Sequence, residues 1–168
     1  ALIPTSAPMR RAIATTGAKI LIKLGLLPYG YIKDMDENDA TLTFNTIGRH
    51  VSQMVSTRIS SVKSPWLQGV NVGDIHIIPV SHGEGRFVAP HDVLVELFEN
   101  GQVFTQYVDE NNNPTMISPF NPNGSMMAIE GIVSRDGRVI GKMGHSERQG
   151  DNRFINCHFC HVLFCLFD

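Results

Sequence analysis

His145 and Glu147 stand two residues apart at the expected end of a strand, and the two-residue period of extended chain points both side chains the same way. An imidazole oriented by a carboxylate is a pair that takes the proton from a nucleophile. Alone, a His-x-Glu triplet is more often a surface ion pair. Two further polar clusters accompany it. His82, Glu84 and Arg86 place a base, an acid and a cation in one short loop, HGEGRF, made permissive by Gly83 and Gly85. Its plain structural reading is a turn tied by Glu84 to Arg86. Asn121, Asn123 and Gly124 in NPNGS suit a turn whose side chains cap backbone groups. Asn45 and Arg49, in FNTIGRH, add an amide and a guanidinium fork that fits a carboxylate, whether of a substrate or of a neighbour.

The elements that must position these groups follow from hydrophobic periodicity. Ile20, Leu21, Leu24 and Leu27 recur at helical spacing in GAKILIKLGLL, with Pro28 and Gly30 as the stop. The acidic segment from Asp34 to Asp39 reads as a solvated loop before β-prone Thr41–Phe44. Val51, Val55, Thr57 and Ile59 alternate as a half-buried strand. Ile75, Ile77, Ile78 and Val80 form a β-branched run that reads as a buried strand and delivers the chain into HGEGRF. Val93, Leu94, Leu97 and Phe98 predict a second helix over 91–99, stopped by Asn100-Gly101. Val103–Val108 alternates as a strand. Ile129, Ile132 and Val133 predict another, which returns through the Asp136-Gly137 turn to Val139, Ile140 and Met143. Strands interleaved with two helices predict an α/β domain with a mixed sheet.

Bulk composition narrows the partners. With 168 residues and 42% apolar content, one domain with a sizeable core is expected. A net charge of −2 supplies no basic field for nucleic acid or anionic lipid. No run reaches a membrane-span length, so a membrane is not an expected partner. Cys157, Cys160 and Cys165 are odd in number and clustered in the last residues, which does not suggest a secreted disulfide framework, and a cytoplasmic setting is expected.

The three polar clusters, HGEGRF, NPNGS and GHSER, with LIKLGLLPYG intact from Leu21 to Gly30, resemble the later part of the glutaminase domain of phosphoribosylformylglycinamidine synthase. The resemblance covers about 130 residues, from roughly Leu21 to Gln149. It implies a partial flavodoxin-like fold of the class I glutaminases and an enzyme that releases ammonia from glutamine for purine synthesis. His145 is then the base that takes the nucleophile's proton and Glu147 the group that holds its imidazole. His82, Glu84, Arg86, Asn45 and Arg49 become candidates for the glutamine pocket or the contact with the synthase domain. ATP and magnesium belong to that catalytic synthase domain. No cofactor and no metal site are expected in this chain itself.

Two departures qualify what the resemblance implies. At the family's Gly-Val-Cys-Asn-Gly elbow, counting back from LIKLG without a gap puts Thr15 on the cysteine, Ile13 on the first glycine and Lys19 on a glutamine. An alcohol with a pKa of ~15 is far harder to ionise than a thiol near ~8.5, so Thr15 reads more simply as a helix N-cap. The opening strands that precede the family's elbow are also missing from the expected order. The chain is therefore expected to be a single, incomplete amidotransferase domain over 1–168 with divergent ends at 1–16 and 150–168. Fragment, misread end and true pseudoenzyme stay open. The tail CHFCHVLFCLFD contains the Cys-x-x-Cys-His form used in haem attachment and soft ligands for zinc, but short motifs of this kind transfer poorly, and a frame-altered end or an apolar helix reads better.

Overall fold

A computed structural model describes residues 13, 14 and 16–145 of the chain. Thr15, Glu147 and the three cysteines lie outside the described residues. Among the described residues the order is β1 (Ile13–Ala14), α1 (Thr16–Lys23), β2 (Thr41–Thr43), β3 (Val51–Ile59), β4 (Ile75–His82), β5 (Arg86–Val88), α2 (His91–Glu99), β6 (Val103–Tyr107), β7 (Ile129–Val133) and β8 (Ile140–Lys142). Six strands form one sheet in the order β1-β8-β7-β6-β3-β4. β1 runs parallel to β8 and every other pairing in it is antiparallel, so the sheet is mixed, as the alternation of strands and helices predicts. An isolated antiparallel bridge joins Val80 of β4 to Gly144, just beyond β8, and so curls the sheet back on itself. β2 pairs with β5, outside this sheet.

Three apolar clusters fill the layers. α1 and α2 cover one face through Ala18, Ile22, Leu94 and Leu97, packed on Val103, Ile129 and Ile132. Trp66, Leu67 and Val70, from the segment between β3 and β4, cover Ile59, Phe104, Val133 and Ile140. Val51, Val55, Ile78, Val80 and Tyr107 cluster where the sheet curls.

Several expectations need correction. The buried face of α1 is Ala18 and Ile22, with Leu21 partly buried, whereas Ile20 is 54% and Leu24 41% exposed. Two apolar stripes compete on this helix, and the seat beneath it decides between them. A Cβ on Gly141 of β8 would lie 2.6 Å from Leu27 Cδ1 and 3.2 Å from the Ala18 Cβ, so the helix sits where only small groups fit. Leu27 enters the core from the turn after the helix instead.

β4 is not buried throughout. It is the last strand of the sheet, and Ile75 and Ile77 stay exposed while Ile78 and Val80 point inward. Pro79 is tolerated there because its carbonyl, not its nitrogen, makes the bond to the segment beyond β8, accepting from the His145 amide. β6 does not alternate between core and solvent. It lies between β3 and β7 and is buried along its whole length. In the acidic loop, Asp39 is buried rather than solvated. It accepts hydrogen bonds from Tyr29 Oη, from Lys33 Nζ at 2.8 Å and from the Asp36 amide at 2.9 Å. Burial opposes its ionisation, yet the bonds from Lys33 and Tyr29 hold the carboxyl down at about 2.

Replacing Gly141 by valine forces a branched side chain between β8 and α1. Urea unfolding of Gly141→Val is expected to show a loss of about 1–3 kcal/mol, the usual cost of overpacking a filled core. An unchanged midpoint would mean that α1 does not rest on this strand.

Candidate functional site

β1 and β8 are parallel, with Ile13 opposite Gly141 and Ala14 opposite Lys142, so both strands end at the same edge of the sheet. The carboxyl ends of adjacent parallel strands are where α/β folds collect reactive groups. β1 leads at once toward α1, and β8 leads through Met143 and Gly144 to His145.

The backbone of this last segment is held amide by amide. The Met143 N–H donates to the Glu130 carbonyl at 3.1 Å, the Gly144 N–H to the Glu130 carboxylate at 2.6 Å, and the His145 N–H to the Pro79 carbonyl at 2.8 Å. His145 itself is half-buried. Only glycine fits before it, because a Cβ at residue 144 would overlap Ile78 Cδ1 and come within 2.9 Å of the Glu130 carboxylate.

The other sequence candidates meet in one laced pair of loops. Asn45 is buried, and its amide donates to the carbonyls of His82 at 2.8 Å and Arg49 at 3.1 Å while its oxygen accepts from the Gly85 amide at 3.0 Å. Asn121 caps its own turn through the Gly124 and Ser125 amides, which matches the capping role expected for NPNGS. Asn123 reaches further, donating to the Gly85 carbonyl at 2.7 Å and to Tyr107 Oη at 3.0 Å. Arg86 Nε donates to the Gly124 carbonyl at 3.2 Å, and the Ser125 hydroxyl accepts from the Phe87 amide. HGEGRF and NPNGS are thus fixed to each other by side chains that sequence separation hides.

Glu84 pairs with Lys19 of α1 rather than with Arg86. That ion pair ties the helix after the elbow position to the HGEGRF loop, and both partners are about one-third exposed. Arg49 is exposed, and its carbonyl, not its guanidinium, joins the loop lacing. His82 is 2% exposed, and neither of its ring nitrogens has a hydrogen-bond partner. Burial pushes its imidazole down to about 4, against a pull from Glu130 and with help from His50 and His145. Gly85 is required beside it, since a Cβ there would lie 2.6 Å from Nδ1.

Glu130, Thr105 and Tyr107 escaped sequence reasoning. A glutamate inside the apolar run Ala128-Ile129-Glu130-Gly131-Ile132-Val133 was the available signal, because a charge at a core position of a strand needs a partner. Among the described residues no cluster of His, Cys, Asp and Glu could hold a metal ion, and no helix is long and apolar enough to cross a membrane.

Comparisons with known proteins agree with this geometry. Residues 12–158 match the CobB/CobQ-like glutamine amidotransferase domain family. Phosphoribosylformylglycinamidine synthase subunit PurQ of Nostoc sp. is 36% identical over 135 residues, covering 80% of this chain and 51% of the relative. The subunit of the same name from Aquifex aeolicus is 32% identical over 136 residues, covering 81% and 54%. The chain therefore spans about half the length of the curated relatives it matches. The structure of PurLQS from Thermotoga maritima superposes with a TM-score of 0.63 at 25% identity, covering 88% of this chain and 55% of the matched one.

His82 makes stability depend on pH with a definite sign. The folded ring protonates near 4 and the unfolded ring near its ordinary 6.5, so between these values the unfolded chain binds more protons. Stability is full above about pH 6.5, falls as pH drops, and levels off near pH 4, for a total of about 3 kcal/mol. Urea unfolding at pH 7.5 and 4.5 should show this loss in the parent chain and a smaller one in His82→Phe. An equal loss in both would remove His82 as the cause.

Proposed function

Because the chain belongs to the CobB/CobQ-like glutamine amidotransferase domain family, we propose that it is the glutaminase portion of a phosphoribosylformylglycinamidine synthase. The intact domain of such an enzyme supplies ammonia from glutamine, in the cytoplasm, for the ATP-dependent amidation of formylglycinamide ribonucleotide. The observation that carries the reading is the register of β1 against β8, a parallel pair whose ends, Ala14 and Lys142, lie side by side. Glutamine hydrolysis there needs a thiolate to attack the carboxamide, departure of ammonia from the tetrahedral adduct, and water to cleave the thioester. Where a thiol stands at the elbow, His145 serves as the base that first takes its proton and then delivers it to the leaving nitrogen. Glu147 orients its ring. ATP and magnesium act in the catalytic synthase domain, the protein partner of this reading.

Thr15 stands where that thiol belongs, and so this chain alone releases no ammonia. A hydroxyl is not ionised by a nearby imidazole at neutral pH to a useful extent. A second reading, a non-catalytic partner that keeps the docking surface, draws support from Lys19. It replaces the family's glutamine, and its charge is committed to Glu84 in the HGEGRF loop.

Trapping the acyl intermediate with hydroxylamine separates the two. The parent chain with glutamine is expected to give no γ-glutamyl hydroxamate above the blank. Ile13→Gly with Thr15→Cys should form it, and adding His145→Ala should lower the rate by roughly 10²-fold or more, the usual worth of a positioned base. Hydroxamate from the parent chain that His145→Ala abolishes would contradict the missing nucleophile. A silent Ile13→Gly/Thr15→Cys chain would favour the docking module.

A further inference from the structure

Glu130 is 2% exposed on β7, in the interior of the curled sheet. A carboxylate there loses its hydration, and an apolar residue of similar volume would usually serve stability as well or better. What its oxygens hold therefore has to account for its place there. One accepts from the Thr105 hydroxyl of β6, and the other accepts from the Gly144 amide at 2.6 Å. The same residue's carbonyl accepts from Met143. A single residue thus grips two successive amides just where the β7–β8 ladder ends at the Gly131–Lys142 pair.

The next amide is His145, and it turns to the Pro79 carbonyl of β4. Gly144 is the pivot between the two grips: its own amide is bonded to the Glu130 carboxylate and the next amide to the Pro79 carbonyl, and a Cβ there would overlap Ile78. The direction in which His145 leaves the backbone is set by that peptide. We propose that Glu130 is a positioning residue for His145, which fixes the Gly144 peptide through its buried carboxylate and so orients the imidazole toward the end of β1. The inference rests on reading His145 as the base of the site. It adds a residue that acts on the base from inside the sheet, on the side away from Glu147 in sequence.

Nuclear magnetic resonance on the chain as it stands tests the bond directly. A scalar coupling across the hydrogen bond, from the Gly144 nitrogen to the Glu130 side-chain carboxyl carbon, is expected in the unsubstituted protein, with a strongly downfield Gly144 proton. Absence of that coupling, with the coupling from Met143 to the Glu130 carbonyl present, would overturn the proposal. Glu130→Gln keeps an oxygen that accepts the amide, so Gly144 should hold its exchange protection and His145 a single side-chain rotamer. Glu130→Ala should lower Gly144 protection about tenfold or more and average the His145 rotamers, with the β3–β4 amides unchanged. Equal behaviour of the glutamine and alanine chains would reduce Glu130 to packing and sink the idea. If Glu130→Ala does not fold, the coupling in the unsubstituted chain still decides. None of these signals needs turnover, so a failure here leaves the hydroxamate result standing, and a failed hydroxamate test leaves these signals standing.

Discussion

Closure of the sheet onto itself at Gly144 is the constraint on which the site depends. The bridge to Val80 brings β4 against the end of β8, and with it the HGEGRF loop that follows β4 comes to the same end of the sheet as His145. Without the closure, residue 145 would begin a free strand end and the loop of residues 82–86 would hang from an open edge. Two glycines make the approach possible, Gly144 against Ile78 and Gly85 against the His82 ring. Both are places where backbone must pass closer to a side chain than any Cβ permits.

Polar side chains do the binding at this end, and they do it almost entirely to backbone. Asn45, Asn121, Asn123 and Ser125 are buried and hydrogen-bonded, so the two loops form one unit whose shape is set before any ligand arrives. Tyr107 lies below this unit, its hydroxyl accepting from Asn123 and its ionisation suppressed by burial and by the charge of Glu130. The Lys19–Glu84 pair then joins the unit to α1. Its contribution to stability is small at this exposure, so its importance lies in where the helix is held against the loop.

Much of the architecture was legible in the residues. Alternation gave β3 because Val51, Val55, Thr57 and Ile59 are all inward and the intervening residues are not. The Asn100-Gly101 stop and the Asp136-Gly137 turn were legible because positive φ at Gly101 and Gly137 demands such residues. The face of α1 was not, since large residues at 20 and 24 outweigh a small Ala18 in any periodicity count, and the seat on Gly141 belongs to a strand more than a hundred positions away. The solvent side of β4 was hidden for a like reason, because the face that carries Ile75, Ile77 and, on β3, Met54 is left exposed by the tertiary packing. At the site, His145 and the two loops were marked by their composition. The roles of Asn45 and Glu130 were not, because each is defined by backbone partners far off in sequence.

The most direct test of this account is native-state hydrogen exchange at the His145 amide. A closed seam predicts that its proton, bound to the Pro79 carbonyl, exchanges only through the same global opening that releases the central strand β6. Exchange at the rate of an unprotected loop, with β6 still protected, would show that the sheet does not close and that His145 is not held against β4.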